Sequence, residues 1–194
     1  SNVNIDLSIR LNIFDSIPYP YGWGTDQNNV MDLEEPKKFV KELAEMGIKI
    51  FNITASTPYI KPHINRPFNK SGKSDYQAPE HPLVGVDRLV KLGKIIKNEL
   101  NDSLVVGTRF SWLRQFAPNV AAAAIDSGWA DIIGFGREAF AYPDFAHDIL
   151  YNNGFKKNSV CLTCGKCTDL KVAKKITGCV VRDKEVYLEP YLNI

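Results

Sequence analysis

The sequence predicts an α/β fold built on a parallel sheet, and three observations carry this prediction. Segments with the apolar patterns of strands recur along the chain, each is followed by a segment of helical character, and the alternation occurs four times. Parallel strands need helical crossovers, so four successive strand–helix units favour a parallel sheet. The 194 residues, 44% of them apolar and with a net charge of +2, contain enough apolar material for a sizeable core.

The first half of the chain contains two predicted strands and one helix. In residues 5–13, isoleucine and leucine alternate with polar residues, which is the period of a strand with two different faces. After a loop rich in proline and glycine, a helix is predicted to open at Pro36 and to stop at Gly47. The second strand is IKIFNIT, residues 48–54.

The second half repeats the pattern twice. A long loop with several prolines leads to a helix from about Val84 to Leu100, whose apolar residues share one side. The third strand is LVVG (104–107), and its helix contains AAAAIDSG (121–128). The fourth strand lies in WADIIGFG (129–136), and YPDFAHDILYNNG (142–154) gives a last short helix that ends at Gly154.

Several classes of function are excluded by composition. No run approaches the ~20 apolar residues of a membrane span, and the N-terminus lacks a signal sequence, so cytoplasmic localisation is the expectation. Basic residues are dispersed among acidic ones, which argues against nucleic acid as a partner. The chain opens with Ser-Asn and no Met, which suggests a fragment of something longer or an expression remnant.

Glycine-bearing turns follow the last two strands. The first strand is followed by DSIPYPYG, which lacks the G-x-G-x-x-G pattern of a doubly wound nucleotide fold. The later turns are GTRFS (107–111) and GFGREA (134–139). In (β/α)8 barrels the loops after the last two strands commonly hold a phosphate, and Arg137 adds a suitable cation. Glycines that serve only tight turns, with a surface arginine, would give the same pattern.

The segment GWADIIGFGREAFAYPDFAHDIL (128–150) resembles the C-terminal part of the Old Yellow Enzyme family of FMN-dependent oxidoreductases. IRLN (9–12) resembles the family strand whose arginine reaches the flavin, and VVGTRFS (105–111) resembles the penultimate phosphate turn. The resemblance implies the C-terminal half of a (β/α)8 TIM barrel, about four βα units in residues 1–154, followed by a cysteine-cluster tail in residues 155–194.

The same resemblance assigns cofactor-binding residues. It implies that the FMN phosphate is bound by Gly107, Thr108, Gly136 and Arg137, and that Arg10 faces the pyrimidine edge of the flavin. The alternation in the first strand agrees, because it places Arg10 opposite the face that covering helices would bury. A structural ion pair is the alternative role for Arg10. The catalytic proton donor and substrate ligands of the family lie upstream of the matched region and are not assigned.

All four cysteines, Cys161, Cys164, Cys167 and Cys179, lie within 19 residues, in the spacing C-x2-C-x2-C-x11-C. Thiols stay reduced in the cytosol, so metal is favoured over disulfides. Three close ligands and one distant one suit a [4Fe-4S] cluster, whereas structural zinc usually takes two C-x2-C pairs. Zinc and unliganded thiols remain open alternatives. The cysteines also resemble those of the iron–sulfur branch of the family, that of 2,4-dienoyl-CoA reductase and trimethylamine dehydrogenase.

The expected function is that of an NADH:flavin oxidoreductase. NAD(P)H would reduce FMN, which would reduce an electrophilic alkene of enoate or dienoyl type or an electron acceptor. Two alternatives are a flavin and iron–sulfur amine dehydrogenase, and a non-catalytic zinc-stabilised domain that binds a phosphorylated ligand. Four units fall short of the eight of a full barrel. We therefore expect that the chain needs the missing N-terminal half, or a self-associated copy, and is inactive alone.

Overall fold

The structure is a computed structural model that describes residues 5–194. Its strands are β1 (Leu7–Asn12), β2 (Ile48–Thr54), β3 (Leu104–Thr108) and β4 (Ile132–Gly134). Its helices are α1 (Glu34–Glu45), α2 (Pro62–Asn65), α3 (Pro82–Glu99), α4 (Ala117–Asp126), α5 (Glu138–Ala141), α6 (Phe145–Tyr151), α7 (Lys166–Val172) and α8 (Lys184–Leu192). A 3-10 helix, Phe110–Phe116, follows β3.

The four strands form one parallel sheet in the order β1-β2-β3-β4. The predicted α/β class and parallel sheet are therefore confirmed. A doubly wound sheet reverses its strand order and places helices on both faces, whereas an unreversed order with right-handed crossovers places them on one face. The sheet is compatible with half of a barrel.

One face of this sheet is covered. Phe51 and Val105 are neighbours across β2 and β3, and both side chains are fully buried. They belong to an apolar core that also contains Val40 from α1 and Leu92 from α3. The covering helices thus bury Phe51, Ile53 and Val105 of the central strands.

The opposite face, here called the open face, carries Arg10, Asn52, Val106 and Ile132, which follow one another across the sheet from β1 to β4. Arg10 is exposed, and Ile132 is 40% exposed. The side chain of Asn52 has a buried Oδ1 that finds no hydrogen-bond partner among residues 5–194. The sheet therefore presents a mixed polar and apolar surface on the side that no crossover helix covers.

The element bounds differ in detail from the sequence predictions. Helix α1 begins at Glu34 rather than at Pro36, because proline is tolerated throughout a first helical turn. Strand β2 matches its predicted segment, but β1 begins at Leu7, two residues later than predicted. The 3-10 helix and helices α2, α5, α7 and α8 were not predicted, since they are short and carry weak periodicity.

The chain divides into two compact units. The sheet unit contains the chain up to Arg66, Val84–Thr108 and Ala121–Gly134. The cysteine unit contains Pro67–Leu83, Arg109–Val120 and Phe135–Ile194. In the cysteine unit α7 and α8 pack through the buried residues Leu170, Val180 and Tyr191. The division after residue 154 that the sequence suggested stays a prediction.

Within residues 5–194, no helix has both the length and the apolar character that crossing a bilayer requires.

A buried carboxylate organises α6 in the cysteine unit. The Asp148 side chain is 2% exposed and lies 2.8 Å from the Lys156 ammonium. The Tyr142 hydroxyl and the Asn152 amide also donate hydrogen bonds to it. The Lys156 contact, followed by the bonds from Tyr142 and Asn152, holds the pKa of Asp148 well below its usual range. The folded state therefore favours the ionised carboxylate.

This cluster predicts an acid-sensitive contribution to stability. Because the folded pKa lies below the unfolded value of about 3.9, the contribution is present above that pH and is lost as the pH falls below it. We expect Asp148→Asn to lower the urea unfolding midpoint at pH 7 and to make it depend less on pH between about 5 and 2. Asp75→Asn, at an exposed position, is the matched control, and its urea unfolding midpoint should change with pH as that of the wild type does. Equal slopes for Asp148→Asn and wild type would contradict this assignment.

Candidate functional site

A cavity of about 430 Å3 lies at the carboxyl ends of β1 and β2, in the sheet unit. Arg10, Asn12, Trp23, Thr54 and Asn65 are among its lining residues. Barrel active sites lie at this end of the strands. The cavity is therefore where a ligand of the sheet unit would be expected.

Asn12 is fully engaged in building the wall of this cavity. Its amide donates to the Ser56 carbonyl oxygen at 2.9 Å, and its side-chain oxygen accepts a bond from the Thr54 hydroxyl. The Trp23 indole donates to the Asn12 carbonyl oxygen at 2.7 Å. In contrast, the Arg10 side chain forms no hydrogen bond or ion pair within the described chain. The structural ion pair considered for Arg10 is absent there, and its guanidinium is free to meet an anionic group.

Gly107 and Thr108 lie where predicted, at the carboxyl end of β3. The Thr108 hydroxyl donates to the Ile53 carbonyl oxygen at 3.3 Å. Gly134 of β4 pairs with Thr108 of β3. A Cβ added at Gly134 would lie 3.2 Å from the Thr108 methyl carbon. The close pairing of β3 and β4 therefore favours a glycine at position 134, independently of any ligand.

Gly136 has no such structural reason. A Cβ added there would meet nothing within 4 Å in the described chain, and its φ lies outside the left-handed region. Glycine usually serves a positive φ or a close approach, either by the protein itself or by a ligand. The described residues give Gly136 neither a positive φ nor a close contact with another part of the protein, so the space above its backbone is open.

Arg137 lies with the cysteines in the cysteine unit. It lines one small cavity, of about 20 Å3, together with Cys161, Cys164, Cys167 and Cys179. Its Nη2 donates to the Thr168 hydroxyl at 3.2 Å, while its buried Nη1 finds no acceptor in residues 5–194. Burial lowers the pKa of Arg137, and the charges of Cys167, Cys161 and Cys164 oppose this shift. The sequence did not predict this position, which depends on a contact 31 residues away along the chain.

The four thiols are free, and they converge on this one cavity. Cys161 is the most deeply placed: its backbone N–H donates to the Glu138 carboxylate at 2.8 Å, and its sulfur accepts from the Thr163 N–H at 3.3 Å. Burial raises the pKa of Cys161 to about 12, partly offset by the Thr163 bond. Burial also raises the pKa of Glu138. The raised pKa favours the neutral thiol at Cys161. A bound metal would reverse this and favour the thiolate, because coordination deprotonates a thiol.

The cysteine loop is fixed from outside by a second loop of the same unit. The Gly72 N–H donates to the Cys164 carbonyl oxygen at 2.6 Å, and the Lys73 N–H donates to Asp169 at 3.0 Å. Gly165 has a φ of +83°, and a Cβ there would lie 2.7 Å from the Gly72 nitrogen and 2.9 Å from Ser71. Position 165 therefore requires glycine for two reasons, its left-handed backbone and the close approach of Gly72.

No group of three or more His, Cys, Asp or Glu within residues 5–194 is arranged to hold a metal ion. A single zinc ion would need its four sulfurs about 2.3 Å from one point. A [4Fe-4S] cluster is bound differently, since each thiolate meets its own iron at a separate corner. The donor set, four thiols lining one cavity, has the chemistry that either a cluster or a zinc ion uses.

These features define the class of protein: an α/β protein with a four-stranded parallel sheet and a cavity lined by four free thiols. No protein-family model matches the chain. Over 75 residues the chain is 33% identical to a bilirubin reductase from Mediterraneibacter gnavus (strain CC55_001C), a match covering 38% of this chain and 12% of that protein. The similarity links this chain distantly to the oxidoreductases.

The geometry of Gly165 predicts that its substitution will open the cysteine loop. Gly165→Ala should destabilise the loop by about 1 to 3 kcal/mol from backbone strain alone, with the contact to Gly72 adding to this. We expect the reaction of Cys161 with a thiol reagent to accelerate by about tenfold or more, since 1.4 kcal/mol changes the open population tenfold.

Gly128→Ala is the matched control. Gly128 also has a positive φ, +66°, but a Cβ there meets nothing within 4 Å. It should be destabilised without any change in Cys161 reactivity, measured under conditions in which both variants stay folded. Equal acceleration in the two variants would show that global opening, rather than the Gly72 contact, controls the loop.

Proposed function

We propose that this chain is part of an FMN-dependent, iron–sulfur oxidoreductase and forms half of its (β/α)8 barrel. The observation that carries the proposal is the convergence of four thiols and the arginine of the GFGREA turn on one cavity. The consecutive parallel sheet and the similarity to a reductase support it. NAD(P)H is the proposed reductant, and an electrophilic alkene of enoate or dienoyl type, or an electron acceptor, is the proposed oxidant.

When bound, FMN would exchange electrons in pairs or singly, and a [4Fe-4S] cluster would carry them one at a time. The residues of this chain would bind and orient these groups. Arg10, free at the carboxyl end of β1, would place a positive charge where electron density accumulates on the flavin ring. The open space above Gly136 would let backbone N–H groups approach a phosphate. In the sheet unit, Gly107 and Thr108 at the end of β3 are also proposed to bind the phosphate.

Arg137 would act from the cysteine side. A cluster with four thiolates carries negative charge in a partly buried site, and a guanidinium beside it offsets that charge. The free Nη1 of Arg137 could still donate to a further anion, such as the flavin phosphate. Cys161, Cys164, Cys167 and Cys179 are the proposed cluster ligands, and the Thr163 N–H would stabilise sulfur charge at Cys161.

The first test of this proposal is elemental. We expect the chain purified or reconstituted without oxygen to hold about four iron and four sulfide per chain, the content of a [4Fe-4S] cluster. Cys164→Ser should lose most of this iron. Thr177→Ser, an equally small change at a half-buried position of the same segment, should retain it. Zinc at about one per chain, with no iron or acid-labile sulfide after reconstitution, would favour a structural zinc domain and contradict the proposal.

The second test concerns completeness. Leu104 is 42% exposed and Ile132 is 40% exposed on the open face, and in the described sheet β1 and β4 each pair along one edge only. Such surfaces favour association with another half-barrel, either the N-terminal half or a second copy. We expect a monodisperse monomer to retain little FMN and to show no measurable reduction of an enone by NAD(P)H. Activity should appear when the missing half is supplied; appreciable turnover by the monomer would contradict the half-barrel.

A further inference from the structure

A second cavity in the cysteine unit has a different lining. Its volume is about 610 Å3, within the range of small-molecule sites. The 3-10 helix Phe110–Phe116 contributes Trp112, Arg114 and Phe116 to the lining, and Lys157 and Arg182 also line the cavity. The cavity shares only Leu162 and Arg182 with the cysteine cavity. We call it the Trp112 cavity.

The charge of the Trp112 cavity is entirely positive. Arg114, Lys157 and Arg182 line it, and no Asp or Glu is among its lining residues. Arg182 is held in place by two bonds to the Val160 carbonyl oxygen, at 2.8 and 3.2 Å. In the chain that the structure describes, the side chains of Arg114 and Lys157 form no hydrogen bond or ion pair. Two free cations and one fixed cation around a concave surface favour an anionic ligand.

Its aromatic residues point to a planar group beside the anion. The Trp112 indole N–H donates to the Asn69 side-chain oxygen at 3.3 Å. Its ring also meets His81 edge to face at 5.4 Å, so two contacts fix its orientation. Phe116 is 63% exposed at the same cavity. An oriented indole and an exposed phenyl ring are surfaces on which a heterocyclic base can stack.

The backbone of the same wall is strained. Arg114 has φ 53° and ψ −128°, a conformation that interrupts the 3-10 helix and that a residue with a Cβ rarely adopts. Strained residues of this kind cluster at ligand-binding sites, where the strained backbone holds a side chain in the position that binding requires. The strain falls on one of the two free cations of the cavity, which is an observation independent of charge and volume.

We propose that the Trp112 cavity binds the adenosine phosphate part of a nucleotide. Arg114 and Lys157 contact the phosphates, and Trp112 and Phe116 contact the base. Side-chain amides of Asn69, Gln115 and Asn158 also line the cavity and can pair with the polar edge of a base. A phosphate ion alone would leave most of the volume and both aromatic surfaces unused. The proposal does not depend on the flavin or cluster sites, whose proposed ligands are other residues.

The test measures binding of ADP to the 194-residue chain by calorimetry, with Trp112 fluorescence as a second signal. Arg114→Gln and Lys157→Gln should each weaken ADP binding by about 5-fold, the effect of losing one partly solvated charge contact. Lys175→Gln, which removes an exposed lysine outside the cavity, should leave the affinity unchanged. Trp112→Leu should weaken ADP by about 5-fold or more but leave inorganic pyrophosphate unaffected.

Lys157 and Arg114 are exposed, so their variants should fold even if Trp112→Leu does not, and circular dichroism checks this. NADH, NADPH and coenzyme A all contain an adenosine phosphate group, and each is titrated in the same way. The compound that binds more tightly than ADP is identified as the physiological ligand. Three results would overturn the proposal: no binding of ADP, pyrophosphate bound as tightly as ADP, or an equal loss with Lys175→Gln. The second would show a general anion site, and the third would show attraction to net charge alone.

Discussion

Parallel pairing is the constraint on which the sheet unit depends. Each strand must be followed by a crossover before the next parallel strand can pair, and right-handed crossovers in an unreversed order all pass over one face. Helices α1 and α3 therefore bury Phe51, Val105 and their neighbours. Within residues 5–194 the crossover helices of the sheet unit leave the opposite face uncovered, so its side chains are free to be polar. Asn52 can lie on a central strand, with Arg10 beside it on β1, for this reason.

The parts of the fold predictable from sequence are those with strong local patterns. IKIFNIT is apolar, β-branched and bounded by Gly47, so it identifies β2 to the residue. The alternation in β1 correctly separates the covered side of Leu11 from the exposed side of Arg10. The helices around the cysteines could not be predicted in this way. Helix α7 spans seven residues, and its N-terminus is set by Gly165 packing on Gly72, a contact 93 residues away along the chain.

The same distinction holds for the candidate site. The spacing of the cysteines is local, so their convergence could be anticipated, and all four do line one cavity. The position of Arg137 is not local. The sequence places it in a glycine turn that resembles a phosphate loop, whereas its guanidinium lies among the thiols and donates to Thr168. Only the three-dimensional structure shows that the backbone of this arginine belongs to the turn while its side chain lines the cysteine cavity.

Two glycines show how structure separates a packing requirement from a ligand requirement. Gly165 is explained by the protein itself, because its φ is positive and the Gly72 backbone occupies the space of a side chain. Gly136 is explained by neither, since its φ is ordinary and the space above it is open. A glycine carries a cost in backbone entropy, and at Gly136 nothing in residues 5–194 offsets that cost. Gly136 is exposed, and under the proposed function its open backbone is the place where a bound phosphate could approach closely.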